Sequence, residues 1–344
     1  MKAIKLVDLR KLEMLDIPRP EIVNSDDVLI KIKSVGICGS DVHYYNTGRI
    51  GSMIVEYPFT LGHECSGIVE DTGFEAKKIK IGDKVAIDPA ITCGKCDQCV
   101  MGRENTCRRL KFLGCPGQAE GSFSEHIVMP ETSLYKVPYT MSFEQAVLSE
   151  PLCIGSYAVR ISMQKEHQNI AILGLGPIGL SVLIFSKLKN PKNIFGTDLI
   201  NERLDVARRL SINYGFNPTK ENIIEKINNI CQDGVDIVFE CAGEQKTLDQ
   251  AIDILRPGGK LIMIGIPQTE TISFVPDKMR RKELTLINIR RQCGELPEVI
   301  ENIAQDRIKL DPFITHRFKP EQATEAFELV SNYKDGVIKA FISF

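Results

Sequence analysis

The chain has 344 residues, 43% hydrophobic and 26% charged, with a formal net charge of −2. That length allows two domains with separate cores, and the balanced charge argues against a nucleic-acid or anionic-membrane partner. The opening "MKAIKLVDLR" has no apolar run of a secretory signal, and eleven clustered cysteines do not read as a disulfide framework, so a reducing cytoplasm is expected.

In chain order, residues 1 to about 150 carry short β-type runs separated by turn signals: 27–34 "DVLIKIKS", 66–69 "SGIV" and 82–87 "GDKVAI". This predicts an irregular, mostly β domain. Three short segments in it carry chemistry-bearing residues. "GICGSDVHYY" holds Cys38, Ser40, Asp41 and His43; "LGHECSG" holds His63 and Glu64; "LSEPLCIGS" holds Glu150 and Cys153. Each has a bland reading. A small buried cysteine packs as a hydrophobe, and a glutamate before a proline suits a helix N-terminus.

Between them lies "TCGKCDQCVMGRENTC", with Cys93, Cys96, Cys99 and Cys107 at spacing C-x2-C-x2-C-x7-C. Four thiolates can close a tetrahedral shell around Zn²⁺, which makes such a site structural. A ferredoxin-like cluster is the rival, since three of these cysteines match the opening of that run and Cys115-Pro116 follows. The fourth spacing does not fit it.

From about residue 153 strands alternate with helices. The uncharged run 168–186 approaches membrane-span length, but its Gly-x-Gly-Pro predicts a strand, a turn and a buried helix instead. Strands are predicted at 169–173, 193–198, 236–240 and 260–265. Leu248, Ala251, Ile252 and Leu255 share one helical face, stopped by Pro257-Gly258-Gly259. That alternation implies a parallel sheet. "GLGPIG" supplies Gly174 for the tight turn, Gly176 for close approach to a pyrophosphate, Pro177 and Ile178 at the helix start, and Gly179 for helix–strand packing. Asp198, at the end of the next strand, suits a ribose 2′-hydroxyl and favours NAD over NADP, while Arg203 nearby could serve a phosphate or stack on adenine. Near the end, Ala323, Ala326, Phe327 and Val330 share a helix face, and 337–341 reads as a strand expected to rejoin the first domain.

"CGSDVH", "GHE", the cysteine lobe and the later GxGPxG resemble, in that order, the zinc-dependent medium-chain dehydrogenases. The resemblance spans essentially the whole chain. "GSDVHYYNTGRIG", "FTLGHECSG" and "ITHRF" look most like the sorbitol (L-iditol) and related polyol dehydrogenases within that family. The resemblance implies an α/β protein with a GroES-like mostly β catalytic domain at 1–152, rejoined by 292–344, and a Rossmann domain at 153–291. It also implies one catalytic and one structural zinc per chain, NAD, and a homodimer or homotetramer.

Residue by residue, it implies Cys38 and His63 as catalytic zinc ligands. Glu64 and Glu150 would complete the shell directly or through water, with Cys153 an outside candidate. Asp41 would orient His63, Ser40 would take the hydroxyl proton, and His43 would relay it. Tyr44, Arg49 and Arg291 would line a polyol pocket. Gln292 stands where the family often has tyrosine, so the identity of the polyol is open. The alternatives are L-threonine 3-dehydrogenase or another secondary alcohol dehydrogenase, and a non-catalytic zinc-stabilised Rossmann-type binding protein. A zinc-finger nucleic-acid binder fits the cysteines but not the charge.

Overall fold

The computed structural model describes residues 1–267 and 269–344. It divides into two compact units, Met1–Glu150 with Leu296–Phe344, and Pro151–Glu295. The expected division lay at 152/153 and 291/292.

In the first unit a seven-stranded sheet is built on strand Asp27–Gly36, whose alternate residues are nearly all buried. Its partners are antiparallel: Glu64–Thr72 on one edge, and His126–Pro130 and Lys339–Ile342 sharing the other. Lys84–Ile87 and Leu134–Lys136 extend the sheet beyond Glu64–Thr72, and Ile314–Phe318 runs parallel to Lys339–Ile342. The chain's last strand thus completes the sheet begun by its first fifty residues. The predicted strand at 337–341 begins two residues later than expected, and Val337 and Ile338 are buried without being part of it.

The core beneath this sheet includes Ile30, Ile32, Val85, Phe123 and Phe327, all fully buried. Helix Ala323–Ser331 packs its apolar face there, and the Phe327 ring meets those of Tyr45 at 5.2 Å and Phe123 at 5.5 Å. Helix Phe143–Ser162 carries the chain out of this unit and holds Pro151 in its interior. Glu150 is therefore a mid-helix residue and not an N-terminal carboxylate. A proline can sit inside a helix at the cost of one hydrogen bond and a kink.

The second unit is a six-stranded parallel sheet. Its spatial order is Tyr214–Phe216, Asn193–Thr197, Asn169–Leu173, Val235–Glu240, Leu255–Met263, Thr285–Asn288. In sequence rank this is 3-2-1-4-5-6, the doubly wound order with its switch point beside Asn169–Leu173. The run 168–186 becomes that strand and helix Pro177–Lys187, and among the described residues no helix is long and apolar enough to cross a membrane.

One expectation needs correction. Leu255 does not end the helical face; the helix stops at Ile254 and Leu255 opens the next strand, paired with Val235. The register then jumps so that Lys260 pairs with Ile237, and Pro257-Gly258-Gly259 bulges out, with Gly258 at φ 74°. Burial of Leu255 satisfies either assignment, and sheet pairing decides between them.

Phe327→Ala is expected to cost about 3–5 kcal/mol, because a buried ring leaves a cavity its neighbours fill only partly. Thermal unfolding should show a fall in Tm on the order of 10 °C.

Candidate active site

Cys38 stands at the start of helix Gly39–Thr47, just past the end of strand Asp27–Gly36. Glu64 opens strand Glu64–Thr72 and lies opposite Gly36 in the antiparallel register. That pairing carries Cys38 and His63 to the same end of the sheet. The Cys38 sulfur, a His63 ring nitrogen and a Glu64 oxygen all lie within 4.8 Å of one another.

Asp41, fully buried, binds the two segments together. Its Oδ2 accepts from the Cys38 backbone N–H at 3.0 Å and its Oδ1 from Gly62 N–H at 3.0 Å. The His63 Nδ1 is 3.7 Å from Asp41 Oδ1. Fixing one ring nitrogen this way orients the other, as carboxylates do for metal-binding histidines.

Sequence reasoning missed Lys339. Its ammonium donates to Glu64 Oε1 at 2.8 Å and Oε2 at 2.6 Å, and to the Ile37 carbonyl at 3.2 Å. Lys339 and Glu64 are both almost fully buried. The available signal was a lone charge in an otherwise apolar strand, which must find a partner. Gly36 was missed as well. A Cβ there would lie 2.6 Å from Glu64 Oε2, so the carboxylate occupies the space a side chain would need.

The buried ionisable groups shift one another. Burial alone would push His63 down, yet the neighbouring Cys38 and Asp41 hold it well above its usual value. Burial pushes the Glu150 carboxyl up to about 7, with Glu64 and Asp88 adding to the effect and His63 and Lys339 opposing it. Burial also works against the charge on Lys339, but Glu64 and Cys38 hold that ammonium above its ordinary value. One thiol, one imidazole and several carboxylates therefore face a single ammonium. A sulfur–nitrogen–oxygen donor set suits Zn²⁺, and its thiol disfavours Mg²⁺ or Ca²⁺.

Of the other proposed residues, Ser40 and His43 lie one turn apart on helix Gly39–Thr47, both partly exposed. Burial lowers the His43 pKa. Glu150 is outside the 4.8 Å group but feels the charges of His63, Glu64 and Lys339. Tyr44 is buried, with its hydroxyl 3.8 Å from the Cys115 sulfur. Arg49 is exposed in the hairpin that follows the helix. Cys153 and Arg291 belong to the second unit, and Arg291 has an unusual positive φ of 55°.

Cys93, Cys96, Cys99 and Cys107 form a second donor group. Sulfur separations of 3.5, 3.6 and 3.9 Å match the edge of about 3.8 Å expected for a tetrahedron with ~2.3 Å Zn–S bonds. Backbone N–H groups of Cys93 and Arg109 each reach the Cys107 sulfur at 3.4 Å. Those of Arg108 and Cys99 lower the Cys96 thiol to about 6, favouring the thiolate a metal needs. Cys115 lies outside this group, so the Cys-Pro of the ferredoxin-like run is not brought to the first three sulfurs.

In the second unit the glycine turn is built as its spacing implies. Gly174 has φ 94° and its N–H donates to Thr197 O at 2.9 Å. A Cβ on Gly179 would lie 1.8 Å from the Gly174 carbonyl oxygen, so helix and turn meet without room for one more atom. Gly176, Pro177 and Ile178 stay partly exposed at the helix N-terminus, where free N–H groups favour phosphate. Asp198 accepts from Leu175 N–H at 2.8 Å and Ile200 N–H at 2.9 Å, one on each oxygen, which leaves lone pairs for a hydroxyl. The Arg203 guanidinium lies 3.6 Å from Asp198 and beside the Gly176 turn.

Two outcomes test these groups. Cys96→Ser should lower bound zinc from two per chain to one, read by metal analysis. Gly179→Ala should weaken NADH binding by at least about tenfold, about 1.4 kcal/mol, in a fluorescence titration, while both zincs remain.

The comparisons agree with this geometry. Residues 24–139 match the alcohol dehydrogenase GroES-like domain and residues 177–305 match the zinc-binding dehydrogenase family. A sorbitol dehydrogenase of Bacillus subtilis is 35% identical over 99% of this chain and 97% of its own. A D-xylulose reductase of Saccharomyces cerevisiae is 34% identical over 99% and 97%. An alcohol dehydrogenase of Escherichia coli CFT073, solved with NADH, superposes with a TM-score of 0.91 at 28% identity, covering 100% of this chain and 99% of that one. The chain therefore belongs to the zinc-binding dehydrogenases that carry an alcohol dehydrogenase GroES-like domain, and is an enzyme of that family.

Proposed function

We propose that this dehydrogenase oxidises a secondary hydroxyl of a polyol, of the sorbitol, L-iditol or xylitol kind, to a ketose with NAD as acceptor. The observation that carries this reading is the gathering of Cys38, His63 and Glu64 donor atoms in a chain that also holds a complete dinucleotide turn. The sorbitol dehydrogenase and D-xylulose reductase relatives support the substrate class.

Cys38 and His63 would hold the zinc, with Glu64 and Glu150 as the acids beside it. Zinc held there would supply a Lewis acid for a substrate hydroxyl, and a bound nicotinamide would supply the hydride acceptor. The chain's own residues do the rest. Asp41 keeps His63 in one orientation. Ser40, two residues from Cys38, would accept the hydroxyl proton, and His43 one turn on would pass it outward. Burial lowers the His43 pKa and so favours the neutral ring, the form that can receive a proton. Asp198 would bind the ribose hydroxyls, and its charge would repel a 2′-phosphate.

The test is NADH formation by purified protein with NAD, offered sorbitol, xylitol, L-iditol and galactitol beside L-threonine and simple alcohols. Polyols should be turned over, and NADP should be the poorer acceptor. Turnover of threonine alone would overturn the substrate class and keep the chemistry. Cys38→Ser should lower kcat/KM on the order of 10³-fold or more, about 4 kcal/mol, and leave one zinc bound. Full activity in that variant would refute the proposed site.

A further inference from the structure

Arg291 stands just past strand Thr285–Asn288 with φ 55°, in the left-handed region that an arginine rarely adopts. Such a conformation persists where the surroundings over-determine it. Here they do. The Gln292 side chain accepts from the Glu295 N–H at 3.1 Å and closes the turn on itself. The Arg160 guanidinium donates to the Cys293 carbonyl at 3.1 Å and, through Nε, to Glu295 Oε1 at 2.6 Å. The Ser156 hydroxyl donates to Glu295 Oε2 at 2.5 Å. Glu295 is 3% exposed, and each of its oxygens is bonded to helix Phe143–Ser162.

The same stretch of that helix is seated on helix Pro177–Lys187, which opens at the glycine turn. The Ser181 hydroxyl donates to the Leu152 carbonyl at 3.0 Å, and a Cβ on Gly155 would lie 2.1 Å from Ser181 Oγ. All of these residues belong to the second unit. The strands are parallel, so the turn at 291–295 lies on the same carboxyl edge of the sheet as the glycine turn and Asp198. Asp198 and the glycine turn provide for the adenosine ribose and the pyrophosphate. A dinucleotide crosses the switch point, so its other half belongs with the strands that end on the far side, of which Thr285–Asn288 is the last.

Resting on the cofactor reading above, we propose that Glu295 is a positioning residue for the nicotinamide half of the cofactor. Through Ser156 and Arg160 it presets the turn that carries Arg291, and that turn forms one wall of the half-site. Binding then costs no ordering of the turn.

The experiment measures binding of NADH and of ADP-ribose, which lacks the nicotinamide ring, by calorimetry on the whole chain. Glu295→Ala should weaken NADH by about tenfold and leave ADP-ribose within about twofold of the parent protein. Glu295→Gln keeps an acceptor for Arg160 and a partner for Ser156, and should stay close to the parent for both ligands. Arg160→Met removes one ion pair and the Cys293 contact from a half-exposed side chain, and should show the selective loss in smaller measure. It carries the test if Glu295→Ala does not fold.

Unchanged NADH binding in both Glu295→Ala and Arg160→Met would overturn the inference. Equal weakening of NADH and ADP-ribose would also overturn it, since that marks a carboxylate that only braces the fold. A parent protein that binds neither ligand would overturn the cofactor reading beneath it, so the two failures are distinguishable.

Discussion

The antiparallel pairing that sets Gly36 opposite Glu64 is the constraint on which the first unit's chemistry depends. One strand ends there and the other begins, so the residues just beyond, Cys38 and His63, leave the sheet side by side. A one-residue slip would send the alternating side chains of Asp27–Gly36 to the wrong faces and separate the donors. The burial of Ile30, Ile32 and Val35 therefore fixes the register of the candidate site as well as the core. Asp41 then locks the two loops through backbone N–H groups, which places the ligands without using the ligands' own atoms.

The charges follow from the same geometry. Buried carboxylates are tolerated where something answers them, and Lys339 answers Glu64 with both oxygens engaged. Among the described residues Glu150 has no comparable hydrogen-bonded partner, and burial pushes its carboxyl up to about 7. Two glutamates near one site thus have different environments. One has both oxygens on an ammonium, and the other has its carboxyl pushed up to about 7 by burial.

The second unit uses its carboxylate differently. Asp198 receives the N–H groups of Leu175 and Ile200, so it shapes the glycine turn it also faces. The close contact of Gly179 with the Gly174 carbonyl and the left-handed φ of Gly174 show why only glycine serves at those two positions. The four-cysteine lobe is self-contained by contrast. Its sulfurs, their backbone donors and the Arg108–Asp97 ion pair all fall within 93–109.

Local signals were enough to read the fold class, the strand–turn–helix of the dinucleotide motif and the clustered cysteines, because each rests on residues near one another in sequence. Leu255 was misassigned because helix period and sheet pairing both bury it, and only a partner strand could decide. Cys38 stood in one motif and His63 with Glu64 in another, and their approach to within 4.8 Å required the register of two strands. Gly36 was not legible, and Lys339 only as a lone charge in an apolar run whose partner was unknown. The first matters through a carboxylate from another strand, and the second through a contact spanning residues 64 to 339. The sequence by itself determined which elements form and which donor types are available, since periodicity and motif spacing are local. Only the tertiary structure decided which charges meet, since a buried ion pair is settled by what the fold brings within bonding distance.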